Sequence, residues 1–330
     1  MRRLHRLPES AAPVSPLPEG IRDGRHRFRE IYRIVQADHG DEQAYDRSHA
    51  EALRQFADEL PPPGKGCPLG GERLPLHYLL IPGLGADCLS HKVSPFNIAR
   101  EHLHARGFRS SILWVNGRSS SDYNAAMIRT HLQQTGWGTE RLVLLGYSKG
   151  VVDALQAVTD YPEIRERIAA VVSVAGAVWG SPLVEMVPRW LQRLFSTLSL
   201  WGCRPGDGRS LVSLHPQTRR SWFAQHRLPE QIRYFSLPAC PEPERVSRIL
   251  RRNYRQLAAI DKNDSQVIWR DALIPGSELL GYANADHWAV TLPLTRRWPH
   301  VRHFVNHNDY PREILLESIV RYVEESLLEG

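Results

Sequence analysis

The stretch Arg141-Leu142-Val143-Leu144-Leu145-Gly146-Tyr147-Ser148-Lys149-Gly150 constrains this chain more than any other. A run of β-type apolar residues enters Gly-x-Ser-x-Gly, and Val151-Val152-Asp153-Ala154-Leu155-Gln156-Ala157-Val158 continues at once with a helical pattern. Strand, sharp turn and helix in that order place a serine on a strained turn with its hydroxyl exposed. Gly146 and Gly150 allow strand and helix to approach closely, and the helix N-terminus favours negative charge that develops beside it. The plain alternative is a serine in an ordinary turn. Average composition gives about 0.1 chance matches to Gly-x-Ser-x-Gly in a chain of this length, and the flanking strand and helix lower that several-fold.

The texture around this motif is that of a parallel sheet covered on both faces. From residue 74 onward strands alternate with helices: a strand at Leu76–Ile81, a turn Pro82-Gly83-Leu84-Gly85, a helix over about 94–106, a strand at Ser111–Val115, and a helix over 122–134. After the serine come a helix over 149–160 and an apolar strand at Ile168–Ala175. Strands near Ile232–Leu237 and Glu278–Tyr282, a helix near 243–258 and a last helix starting at Pro311 complete the pattern. Near-continuous apolar strands joined by helices indicate an α/β fold with a mostly parallel sheet.

Two regions depart from that alternation. Residues 1–73 read as a Pro- and Arg-rich arm followed by two amphipathic helices, one carrying Phe28, Ile31, Tyr32 and Val35, the other Tyr45, His49, Leu53, Phe56 and Leu60. Pro61-Pro62-Pro63-Gly64 then begins a linker, so this extension is expected to precede a main domain at 74–330. Between about 177 and 230 the strand–helix order stops. Met186, Trp190, Leu191, Leu194, Phe195, Leu198 and Trp201 form an apolar stripe there. Core packing is the commoner origin of such a stripe, but an insertion at this point also suits a cap over an apolar substrate pocket.

Composition excludes more than it selects. The net charge of +6 is modest for 330 residues, and the basic residues are not clustered with aromatics as nucleic-acid binding requires. Cys67, Cys88, Cys203 and Cys240 lack Cys-x-x-Cys spacing, so free thiols are expected rather than a zinc site or a disulfide framework. The basic start Met1-Arg2-Arg3-Leu4-His5-Arg6 leads into no apolar segment of a signal peptide, and no stretch approaches the length of a transmembrane helix. These readings point to a cytoplasmic protein; transient contact with a membrane surface is compatible with them.

A serine hydroxyl is a poor nucleophile at neutral pH and requires a base oriented by a third group. In a sheet of this kind the acid and then the histidine follow the serine along the chain. His287 fits as the base, because Tyr282-Ala283-Asn284-Ala285-Asp286-His287-Trp288 directly follows a late strand. His303 and His307 lie in a polar run by the last helix, and His215 and His226 fall in the cap region. Two residues compete as the acid: Asp264, 23 residues before His287, and Asp271, 16 before it. Asp264 is preferred because the shorter spacing leaves little room for the intervening loop and helix; Asp286 is expected only to shape the histidine loop. Backbone amides must stabilise the developing oxyanion, and Lys149 and Leu84 are placed to supply them.

With these residues in place, residues 74–328 resemble the α/β-hydrolase superfamily, and within it bacterial lipases and carboxylesterases. The resemblance rests on Pro82-Gly83-Leu84-Gly85, on Gly146-Tyr147-Ser148-Lys149-Gly150, on Asn263-Asp264 with His287, and more weakly on Gly180-Ser181-Pro182. It implies an ester hydrolase working through an acyl-serine on Ser148, with His287 and Asp264, without metal or organic cofactor, on a small-molecule ester or lipid-like substrate contacted by Tyr147, Trp190 and Phe195. Acyl transfer or thioester hydrolysis by the same residues, and a catalytically silent binding module, are the alternatives. The chain departs from many relatives in having Pro82 before Gly83, Tyr147 and Lys149 flanking the serine, and Ala289 where some carry a calcium-binding Asp.

Overall fold

The computed structural model describes residues 16–39, 51–71, 73–89, 93–188, 190 and 205–329. Seven strands form one sheet: β1 (Arg22–Asp23), β3 (Leu76–Ile81), β4 (Arg109–Ile112), β5 (Arg141–Tyr147), β6 (Ile168–Val174), β7 (Arg233–Leu237) and β8 (Glu278–Leu279). Their spatial order is β1-β8-β7-β6-β5-β3-β4, and every pairing in this sheet is parallel. Short strands β2 (Leu53–Arg54) and β9 (Tyr282–Ala283) pair antiparallel in a second, two-stranded sheet.

Side-chain alternation explains why the central strands are apolar throughout. Along β5, Val143 and Leu145 enter a core with Phe28, Leu103 and Ile319, whereas Leu142 and Leu144 enter another with Ile128, Val152 and Leu155. The first core is covered by α1 (Arg25–His39), α3 (Asn97–Ala105) and α9 (Arg312–Glu329), the second by α4 (Ser121–Gln134) and α5 (Lys149–Asp160). Burying each such Leu or Val contributes about 1.5–3 kcal/mol, so a strand apolar on both faces is anchored from both sides. The short helix α2 (Ala86–Leu89) follows β3, and α6 (Pro216–Gln225), α7 (Arg251–Ala258) and α8 (Leu294–Arg297) lie in the connections. Among the described residues no helix is long and apolar enough to cross a membrane.

The segment before residue 74 differs from its sequence reading. The first amphipathic helix is α1, and its stripe Phe28, Ile31, Tyr32 and Val35 is buried. The second is not formed over 53–60: Leu53–Arg54 is a strand and residues 55–60 are irregular, while Tyr45 and His49 lie outside the described residues. Helical periodicity misled because Leu53 and Phe56 are buried by separate neighbours, Leu53 in the main core and Phe56 edge-on to the Tyr282 ring at 4.9 Å. The segment is also built into both sheets, since β1 extends the edge of the seven-stranded sheet beyond β8 and β2 pairs with β9 in the two-stranded one.

Other elements shift for similar local reasons. The strand expected at Ser111–Val115 ends at Ile112; the one expected over Glu278–Tyr282 divides between β8 and β9 on two different sheets. The helix expected near 243–258 is two short 3-10 turns followed by α7. Cys67 and Cys240 are free thiols, but Cys88 is disulfide-bonded, contrary to the expectation drawn from cysteine spacing.

Candidate active site

Ser148 stands at the junction of β5 and α5 with φ 54° and ψ −120°, a left-handed-side conformation that costs a non-glycine residue on the order of 1–3 kcal/mol. The packing around it supplies the constraint. A Cβ at Gly146 would lie 2.3 Å from the backbone nitrogen of Val151, and one at Gly150 would lie 2.1 Å from the carbonyl oxygen of Ile81. Side chains at either position would push the helix off the sheet, so the two glycines of the motif are there for close approach.

The strained turn aims Ser148 at His287. Nε2 of His287 is 2.9 Å from Oγ of Ser148, and Nδ1 of His287 is 2.7 Å from Oδ2 of Asp264. The histidine and aspartate are buried, and the serine is half-buried. Asp264 is itself held: its Oδ1 accepts from the amides of Gln266 and Val267 at 2.8 and 2.7 Å, and its carbonyl accepts from the amide of His287 at 2.8 Å. Ser265 follows with φ 83°, its amide donating to Oδ1 of Asn263 at 2.8 Å. With one Asp264 oxygen committed to backbone amides, the other is left to receive the imidazole N–H.

Asp271 does not join this chain of contacts. It lies in a 3-10 turn, Trp269–Ala272, where burial pushes its carboxyl up to about 6 against the opposing pull of Arg220. Asp286 sits beside His287 in sequence but accepts from the amides of Ser247 and Ala289 at 2.9 and 3.0 Å, fixing the loop rather than the ring. His215 caps α6, its Nδ1 accepting from the amide of Gln217, and His226 stacks on Trp222. His303 closes a 3-10 turn at Pro299–His303.

Sequence neighbours of Ser148 divide between the site and the interior. Tyr147 is buried and donates its hydroxyl hydrogen to the carbonyl of His287 at 2.7 Å; burial raises its pKa far above the ordinary phenol value, so it stays neutral. Lys149 turns inward instead, its Nζ 2.6 Å from Oδ1 of Asp153, and Asn124 donates to the other Asp153 oxygen at 2.8 Å. The Lys149 amide nevertheless begins α5 directly after Ser148. Across from it lies the Pro82-Gly83-Leu84-Gly85 turn, where a Cβ at Gly83 would be 2.8 Å from the Cβ of Ser148.

Ser148 and His287 open into a cavity of about 470 Å³. Leu84, Leu183, Val184, Met186, Leu211, Leu214 and Leu292 supply apolar wall, and Arg252, Asn253, Gln256 and Gln266 supply polar groups. Ser181, from Gly180-Ser181-Pro182, lines it too, its hydroxyl donating to the carbonyl of Gln266 at 2.5 Å. Of the apolar stripe expected to cap the pocket, Met186 lines it. Trp190 is 68% exposed and is not among the described lining residues. Leu191, Leu194, Phe195, Leu198 and Trp201 lie outside the described residues. Sequence reading missed the polar wall from α7, since a helix reaching the site from a distant segment carries no local signal.

A parallel sheet with helices on both faces, with a serine on the turn after a central strand and a histidine after the last one, defines an α/β-hydrolase. The solved structure of the metagenomic carboxyl esterase MGS0156 is 41% identical and superposes with a TM-score of 0.89 over 96% of this chain and 97% of that one. The chain therefore belongs to the α/β-hydrolase superfamily, in the company of that esterase. The mature form of the Bacillus licheniformis lipase BlEst2 shares the fold at 18% identity, with a TM-score of 0.53 over 66% of this chain and 86% of that one. No family model matches the chain, and no similar protein was found among curated sequences.

Proposed function

We propose that this protein is a serine carboxylic-ester hydrolase for substrates with an apolar acyl chain. The observation that carries the reading is the hydrogen-bonded series Ser148–His287–Asp264 at 2.9 and 2.7 Å, opening into a largely apolar cavity. His287 takes the hydroxyl proton as Oγ of Ser148 attacks the ester carbonyl, and Asp264 stabilises the imidazolium that forms. The amides of Leu84 and Lys149 hold the oxyanion of the tetrahedral intermediate. His287 then protonates the leaving alcohol, and an acyl-serine remains. Water attacks that ester by the reverse proton path and releases the acid.

The similar carboxyl esterase supports ester hydrolysis as the reaction, and the intact residue series argues against a silent binding module. The apolar wall supports an acyl preference: each buried methylene of substrate contributes about 0.8 kcal/mol, so kcat/KM should rise with chain length until the wall is used up. Purified protein assayed on p-nitrophenyl esters from acetate to dodecanoate tests this. A rise over the short members followed by a plateau or fall is expected; a flat profile would remove the acyl preference.

A further inference from the structure

On the face of the sheet covered by α1, α3 and α9, three side chains far apart in sequence converge. His39 is the last residue of α1, His102 lies in α3 and Glu317 in α9. Nε2 of His102 is 2.9 Å from Nε2 of His39 and 2.5 Å from Oε2 of Glu317, and Nε2 of His39 is 3.4 Å from the same oxygen. Glu317 is fully buried, while the two imidazoles are slightly exposed.

Hydrogen bonding alone serves this arrangement poorly. One nitrogen of His102 faces two partners and can offer either one proton or one lone pair, so it cannot satisfy both. Three potential ligand atoms gathered this closely, all within 4.8 Å of one another, are what a metal ion requires. Ligands at 2.0–2.1 Å in a tetrahedron stand about 3.3 Å apart, so the separations here need adjustments of less than about 1 Å.

We infer that His39, His102 and Glu317 form a binding site for a divalent transition metal of the zinc class, which staples α1, α3 and α9 together. Two imidazoles and one carboxylate suit Zn²⁺ or Co²⁺ better than the all-oxygen cations Mg²⁺ and Ca²⁺. Water on the partly exposed imidazole side completes the tetrahedron. The groups around Glu317 support its use as a ligand. Arg321 contacts Oε1 through Nε and Nη2 at 2.8 and 2.6 Å, which leaves Oε2 to face the histidines. Such an outer partner fixes the orientation of a ligating carboxylate. Arg106, with Nε 3.7 Å from Oε2, is the opposing charge the ion must displace or tolerate; its guanidinium already pairs with Asp38 at 2.6 Å.

None of the three residues lines the cavity around Ser148, so the role is structural and the inference is independent of the proposed chemistry. The full chain, stripped with a chelator, would be equilibrated with Zn²⁺ alone or Co²⁺ alone and passed through gel filtration. One retained equivalent, a raised Tm, and the visible absorption of tetrahedral Co²⁺ are expected. Loss of an outer partner already costs 10–100-fold in affinity, so His39→Gln should weaken binding at least ten-fold. That change lies at a helix end, and circular dichroism would verify its fold; ester hydrolysis by the same variant should persist. No retained metal and no rise in Tm for the wild type would overturn the inference. Equal retention by wild type and His39→Gln would do so as well, by assigning the metal to other histidines.

Discussion

The hydroxyl of Tyr147 donates to the carbonyl oxygen of His287 at 2.7 Å, and the two rings lie 5.0 Å apart. The residue before the serine thus holds the backbone of the histidine loop from 140 positions away in the chain. Tyr147→Phe leaves that carbonyl without its partner in a buried setting, which should cost about 1–2 kcal/mol of stability. A loosened imidazole should lower kcat several-fold with KM nearly unchanged. Chemical denaturation with steady-state kinetics checks both; an unaltered kcat would reduce Tyr147 to a packing residue.

The two aspartates should separate sharply. Asp264→Asn strands the imidazole in the wrong tautomer and should lower kcat/KM by about 10⁴-fold, as for the comparable change in the best-studied serine protease. Asp271→Asn should leave activity near wild type. If Asp271→Asn is the crippled variant, the assignment of the acid is wrong.

Asp271 carries a pH signature of its own. Its carboxyl rises from an ordinary 3.8 to about 6 on folding, so the folded protein binds this proton more tightly than the unfolded chain. The stabilisation it brings is therefore full below about pH 4 and lost as pH climbs through about 6. At about 1.4 kcal/mol per pH unit the ceiling is about 3 kcal/mol, and partial solvent access brings the expected effect nearer 1 kcal/mol. Asp271→Asn should accordingly stabilise the protein at pH 7.5 and not at pH 4. Denaturation at the two pH values reads the difference, and an equal effect at both would contradict the burial argument.

Asn284 links the early segment to the histidine loop. Its side-chain amide donates to the carbonyl of Glu51 at 2.9 Å, and its Oδ1 accepts from the amide of Glu242 at 2.9 Å. Removing these bonds in Asn284→Ala should cost about 2 kcal/mol. Hydrogen exchange should quicken across β9 and the loop to His287. Unchanged protection there would mean that β2 merely covers the edge without supporting the site.

Chain-length selectivity should follow the cavity wall. Leu211→Ala and Met186→Ala should weaken long-chain esters about ten-fold relative to acetate, because two to three methylene contacts are lost. Trp190→Ala, at an exposed position that is not among the described lining residues, should leave that ratio unchanged. A selective loss from Trp190→Ala alone would instead place the cap over the substrate.

The serine motif was legible in sequence because its requirements are local: an apolar strand, two glycines where backbones touch, and a helix start. Asp264 and His287 could be ranked by order and spacing, since the loop and helix before a late strand need a minimum length. Features set by distant packing escaped that reasoning. Leu53 and Phe56 mimicked a helical stripe although strand pairing and an aromatic contact bury them. The polar wall from α7 and the meeting of His39, His102 and Glu317 both depend on how distant elements pack, which neither periodicity nor spacing encodes.

Mass-spectrometric mapping after reaction with a fluorophosphonate reads out directly whether Ser148 carries the acyl group. A single adduct on the peptide containing Ser148 is expected. Ser148→Ala should form no adduct, with ester hydrolysis reduced to a residue of a few per cent or less. An adduct on another serine, or a folded Ser148→Ala that keeps its activity, would contradict that role for Ser148.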